Sequence, residues 1–172
     1  PENPGRPMYQ RSLSTKILSL ASQYPVITLT GPRQSGKTTL VRSAFPEKKY
    51  SNLEAPDVQE IAKADPRSFL EQFPEGAILD EIQRVPSLLS YIQVNVDEFP
   101  QKGKFILTGS HQLELQQAIT QSLAGRTAVL CLLPLSLDEL SEAHIEQSLD
   151  EVMIRGGYPR IYKDKLEPTQ AY

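Results

Sequence analysis

Short apolar runs alternate with stretches of helical period along most of this 172-residue chain. Leu13, Ile17, Leu18, Leu20 and Ala21 recur with roughly helical spacing, which predicts an amphipathic helix leading into a first strand. That strand is Pro25-Val-Ile-Thr-Leu-Thr30, and Thr39-Leu-Val-Arg-Ser-Ala44 continues a helix beyond the loop that follows it. Lys49 to Leu53 reads as a second strand. Pro56 suits the first turn of a helix running to about Lys63, and Asp65-Pro66 breaks that helix and caps another short one. Gly76 to Asp80 is a third strand, and Pro86 to Phe99 is a helix ended by Pro100. Lys104 to Thr108 is a fourth strand, Gln112 to Leu123 a helix, and Arg126 to Leu133 a fifth strand. Strands that alternate with helices, and that are apolar throughout, predict an α/β fold whose parallel sheet is covered on both faces. Right-handed crossovers then gather the strand C-terminal ends, and any ligand, along one edge. Past Pro134 the pattern weakens to helical pieces at Ser136 to Ala143 and Ser148 to Arg155, the latter ended by Gly156-Gly157. The expected organisation is a core over 8–135 and a helical extension over 136–172 that leads towards a further domain.

Composition narrows the class. An apolar fraction of 39% is ordinary for a domain with one core. The longest apolar stretch, Ala128-Val-Leu-Cys-Leu-Leu133, is too short to span a bilayer, and no charged-then-apolar signal opens the chain. The single cysteine, Cys131, cannot form an internal disulfide and reads as a buried small hydrophobe. These features favour the cytoplasm. Net charge is −3, with basic residues clustered only at Lys48-Lys49 and Arg160 to Lys165, so nothing indicates a nucleic-acid surface in this segment. Residues 1–7 read as a remnant of expression ahead of a natural start at Met8.

Candidate chemistry centres on Gly31-Pro32-Arg33-Gln34-Ser35-Gly36-Lys37-Thr38, followed by Thr39. Two glycines five apart, then Lys and Thr, sit between a strand and a helix, where a phosphate-binding loop belongs. The glycines permit a tight curve that turns backbone N–H groups inward. The helix start adds partial positive charge and Lys37 a full one. Thr38 offers a hydroxyl ligand for Mg²⁺ beside the β- and γ-phosphates of a nucleoside triphosphate. Downstream, the apolar strand Ala77-Ile-Leu ends in Asp80 and Glu81. Asp80 suits the metal and its waters, and Glu81 suits activation of the attacking water. The Asn-Lys-x-Asp signal of guanine readers is missing: Ala62-Lys63-Ala64-Asp65 precedes the acidic strand and lacks the first residue. Transfer to an acceptor hydroxyl remains open but fits the adjacent Glu less well than water does. After the fourth strand, Ser110, with Thr108 second, is placed to sense the γ-phosphate; Ser110 capping the helix from Gln112 is an equal alternative. His111 reads as a surface loop residue, and His144 carries no signal. Arg33, Arg84, Arg126 and Arg155 are candidates to meet transition-state charge, in cis or across a subunit contact.

Gly31 to Thr39, Asn52-Leu53-Glu54-x-Pro56-Asp57, Leu79-Asp-Glu-Ile-Gln83, Leu107-Thr-Gly-Ser110, Ser122-Leu-Ala-Gly-Arg126 and Gly156-Gly-Tyr-Pro159 occur here in one order. Together they resemble the prokaryotic ATPases of the AAA+ superfamily that join an N-terminal ATPase domain to a C-terminal domain of unknown function. The resemblance spans about Met8 to Tyr162. It implies a three-layer P-loop fold of ASCE type with strand order 5-1-4-3-2, and ATP with Mg²⁺ as ligands. It gives Lys37, Glu81, Ser110 and Arg126 catalytic roles and makes Thr38 and Asp80 the metal ligands. Arg126 matches the group's recurrent Gly-Arg position, whereas Ser110 stands where AAA+ proteins commonly have Asn. The implied partners are a C-terminal domain of the same protein and, for an arginine acting in trans, further copies of this chain.

Overall fold

The computed structural model describes residues 9–110, 112–143, 145 and 148–164. The expected remnant at 1–7, the expected start at Met8, and His111 and His144 lie outside the described residues. Five strands form one parallel sheet: β1 Val26–Gly31, β2 Lys49–Asn52, β3 Ala77–Asp80, β4 Phe105–Ser110 and β5 Thr127–Cys131, in the order β2-β3-β4-β1-β5. This is the predicted order read from the other edge. The helices are α1 Leu13–Ala21, α2 Lys37–Ala44, α3 Pro56–Ala64, α4 Pro66–Glu71, α5 Leu88–Glu98, α6 Leu113–Leu123, α7 Leu137–Glu142, α8 Leu149–Arg155 and α9 Pro159–Lys163. The sequence pattern had not shown α9 or the 3₁₀ turn at Ile82–Arg84 that follows β3. Asp65 does cap α4, accepting the Ser68 N–H at 3.0 Å.

The central strands β3, β4 and β1 are buried along their whole length because both faces are covered. Side chains alternate between two apolar layers. Val26, Leu79, Phe105 and Leu107 pack with Leu88, Ile92, Ile119 and Leu123 on one face. Ile27, Leu29, Ile78 and Ile106 pack with Ile17, Leu40 and Val41 on the other. At about 1.5–3 kcal/mol for each fully buried aliphatic side chain, these two layers are the main force holding the sheet. β2 and β5 form the edges and are only partly covered. Contrary to the expectation of a buried cysteine, Cys131 is exposed, as is Val129 on the same face of the edge strand β5.

A third apolar cluster lies apart from the sheet. Tyr9, from the segment ahead of α1, packs with Leu135 and Leu140 around α7 and with Ile161 and Tyr162 of α9. The two ends of the described chain thus meet. Their meeting place adjoins the loop after β1.

Candidate functional site

In-register pairing sets the site at the C-terminal edge of the sheet. Gly31 at the end of β1 pairs with Ser110 at the end of β4. Asp80 closes β3 beside Asn52 of β2. A parallel sheet therefore delivers the loop, the carboxylates and Ser110 to one crevice.

The loop has the backbone shape its residues suggested. Gly31 has φ +150°, and a Cβ there would fall 2.2 Å from the Leu132 carbonyl oxygen, so only glycine lets the chain leaving β5 pass this close. Gln34 (φ 64°) and Gly36 (φ 93°) are both left-handed, and they bracket Ser35 in the tight curve. Gln34 is the costlier of the two, since a non-glycine residue is held there. Lys37 begins α2 with its side chain buried, and its ammonium donates to the carbonyls of Gly31 (3.1 Å) and Pro32 (2.7 Å). Burial pushes the Lys37 pKa down, against the opposing pull of Glu81 and Asp80. Arg33, Gln34 and Thr39 are exposed, while Ser35 is fully buried.

Asp80 is held by three hydroxyl groups from three elements. Thr38 donates to Oδ2 at 2.8 Å, Tyr50 of β2 donates to Oδ2 at 2.6 Å, and Thr108 of β4 donates to Oδ1. The residue pattern had not singled out Tyr50. Burial, then the bond to Asp80, raises its pKa, so it stays a donor. The Arg42 guanidinium lies 4.9 Å from the Tyr50 ring centroid and helps fix it.

Glu81 adopts a left-handed conformation (φ 60°, ψ 47°), a cost of about 1–2 kcal/mol that turns the chain sharply after β3. Its N–H donates to Thr108 Oγ1 at 3.2 Å. The Gln83 amide donates to Glu81 Oε2, and its oxygen accepts the Ser110 N–H at 3.4 Å. Gln83 thus ties the Glu81 carboxylate to the end of β4, another contact the sequence did not flag. Thr108, the second sensor candidate, is committed to Asp80 and Glu81. Ser110 is 8% exposed and its Oγ has no hydrogen-bond partner among the described residues. The capping alternative is corrected: Ser110 is the last residue of β4, and α6 is capped by the extended Gln112 with no side-chain bond.

Arg126 does not reach this edge within the chain. Its carbonyl accepts the N–H of Val26 at the start of β1, about 17 Å along the strand from Gly31. Its guanidinium makes a two-pronged pair with exposed Asp97 at 2.7 and 2.8 Å. Arg84 pairs with Glu54 at 2.9 Å on the surface, and Arg155 ends α8.

An arginine outside the candidate list touches the loop directly. Arg11, 7% exposed, donates from Nη1 to the Ser35 carbonyl at 2.7 Å. Its Nε pairs with Glu139 Oε2 at 3.1 Å, and Nη2 donates to the Leu133 carbonyl at 2.6 Å. Glu139, 5% exposed, also accepts the N–H groups of Ser12 (2.8 Å) and Ser136 (3.1 Å), the latter within a capping box that starts α7.

Comparison with known proteins agrees with this geometry. The family model described as an AAA domain matches residues 23–141. The uncharacterized protein Mb2031c of Mycobacterium bovis is 31% identical over 165 residues, covering 94% of this chain. The chain spans only 36% of that relative's length. Among solved structures, the Walker-type ATPase paby2304 of Pyrococcus abyssi superposes with a TM-score of 0.58 at 17% identity, over 88% of this chain and 64% of that one. AMPPCP-bound DnaA of Aquifex aeolicus gives 0.56 at 18% identity, over 90% and 60%. No helix among the described residues is long and apolar enough to cross a membrane. With the family model covering most of the chain and a P-loop sheet order beneath it, the chain belongs to the AAA domain family, as a nucleotide-binding, ATPase-like domain.

Proposed function

We propose that this domain binds ATP with Mg²⁺ at the Gly31–Thr38 loop and hydrolyses it, coupling nucleotide state to a partner domain, subunit or macromolecule. The observation that carries this is the convergence of Lys37, Thr38, Asp80, Glu81 and Ser110 on one sheet edge. The donors suit the ligand. Hard oxygens of Thr38 and Asp80 stand 2.8 Å apart beside a buried ammonium, as a magnesium-bound polyphosphate requires. Mg²⁺, when bound, draws charge from the β- and γ-phosphate oxygens. Loop N–H groups and Lys37 hold those phosphates in line for attack. Glu81 takes the proton of a water whose oxygen bonds to the γ-phosphorus as the bond to the β-phosphate oxygen breaks, so ADP and phosphate leave. The free Ser110 hydroxyl is the group left to bond the γ-phosphate or that water.

Two observations favour slow turnover by the chain alone, as in a nucleotide-gated interaction module. Gln83 occupies one Glu81 oxygen, and Arg126 faces away from the crevice of its own chain. An Arg126 supplied in trans would complete the site only on self-association. Phosphate release from ATP, followed with Mg²⁺ over a range of protein concentrations, tests both readings. Release above background supports hydrolysis, and a specific activity that rises with concentration supports the arginine in trans. Tight ATP binding with no release at any concentration would leave the gated module in its place.

A further inference from the structure

Arg11 and Glu139 are 128 positions apart, yet they form a buried ion pair directly behind the phosphate loop. Each partner makes several hydrogen bonds. All three guanidinium nitrogens donate, to the loop, to the exit from β5 and to α7. Glu139 accepts from Arg11, Ser12 and Ser136. A buried pair of this kind gives little net stability, because desolvating two charges offsets most of their attraction. What it does fix is geometry, and the geometry here concerns one peptide plane. Ser35 lies between the two left-handed residues Gln34 and Gly36, where the chain has no regular hydrogen-bond ladder to hold it. Arg11 grips the Ser35 carbonyl from outside the loop at 2.7 Å. The peptide is planar and trans, so the Gly36 N–H of that same unit points away from Arg11. Beyond Gly36, its carbonyl already accepts the Leu40 N–H at 3.0 Å and starts α2.

We propose that Arg11 is a positioning residue: it sets the Ser35–Gly36 peptide so that the Gly36 N–H faces the bound phosphates, and it makes that setting depend on docking of the C-terminal helical extension through Glu139. The proposal rests on the reading of Gly31–Thr38 as a phosphate loop. It gives the extension a role in the site. α7 supplies Glu139, and α9 brings Pro159 to 3.9 Å from where a Gly36 Cβ would lie, on the same side as Arg11. Because coupling of this kind is reciprocal, nucleotide binding in turn holds the extension docked. A partner that pulls α7 away loosens the nucleotide.

The test is ADP affinity, measured by calorimetry with Mg²⁺ for wild type, Arg11→Ala, Arg11→Lys and Glu139→Gln, with far-UV circular dichroism on each. A charged hydrogen bond that orients a phosphate donor predicts a Kd about tenfold or more higher for Arg11→Ala, and partial recovery in Arg11→Lys. Glu139→Gln, which leaves the guanidinium but removes its anchor, is expected to weaken ADP about threefold or more. Where turnover is measurable, KM rises in the same proportion and kcat changes little, since the loss is of uniform binding. A folded Arg11→Ala with wild-type ADP affinity overturns the proposal. Should Arg11→Ala fail to fold, Glu139→Gln and Arg11→Lys with unchanged affinity overturn it equally, and weakened affinity in both supports it. Wild-type protein that binds no ADP or ATP instead removes the phosphate-loop reading itself, together with this one.

Discussion

Asp80 and Ser110 show two opposite ways of preparing a polar residue for a ligand. Asp80 is over-provided, with three hydroxyl donors that leave its carboxylate little freedom to rotate. Thr38, one of those donors, is also the residue that would share a metal with it. Ser110 is under-provided: its hydroxyl is buried beside Gly31 with no partner among the described residues. An unsatisfied buried hydroxyl costs stability, on the order of 1–3 kcal/mol, and such a cost persists where a ligand removes it. Ser110→Ala should therefore leave the nucleotide-free melting temperature unchanged or higher, while phosphate release falls by roughly tenfold or more. A lower melting temperature with unaltered release would show that the hydroxyl serves the fold. Glu81, in its left-handed turn, is a third case, in which backbone strain places a side chain at the crevice.

At the scale of elements, α7 ties the extension to the loop through Glu139. Burial raises the pKa of this carboxylate, but the N–H groups of Ser12 and Ser136, and then Arg11, outweigh it and hold the pKa below the ordinary value of 4.5. A depressed carboxylate stabilises the fold above its unfolded pKa, and that contribution fades as pH falls through the folded one. At neutral pH, Glu139→Gln should cost about 2–4 kcal/mol, since it leaves Arg11 buried without its counter-charge. The gap in melting temperature between wild type and variant should narrow as pH drops below about 4.5. A gap that stays constant down to pH 3 would contradict this account. The elements themselves were largely legible, because each strand and most helices announce their own period, caps and breakers. Ser136 and Glu139 even spell the capping box of α7. What could not be read was every contact that joins distant segments: Arg11 with Ser35 and Glu139, Tyr50 with Asp80, and Gln83 with Ser110. No local spacing encodes these pairs; only strand order and the return of the chain end create them. Cys131 was misplaced for a related reason, since an apolar strand at an uncovered sheet edge looks the same in sequence as one in the middle.

For the whole molecule, the sheet has two ends that carry different residues. The C-terminal edge gathers the loop, both carboxylates and Ser110. The opposite end carries Arg126, paired with Asp97 and facing outward. The Gly-Arg position, at the start of the fifth strand, was visible in the sequence, but the pairing of Arg126 with Asp97 was not. That separation suits an arginine offered to a neighbouring copy. The chain spans 36% of the length of its Mycobacterium bovis relative. For the domain itself, the proposal is that the crevice between β1, β3 and β4 hydrolyses ATP and that Glu81 handles the water. Single-turnover phosphate release with Mg²⁺, measured for wild type and Glu81→Gln under conditions that saturate both with ATP, tests it most directly. Glu81→Gln is expected to bind ATP as wild type does but to release phosphate about 10²–10⁴-fold more slowly. Equal release rates for the two proteins would contradict it.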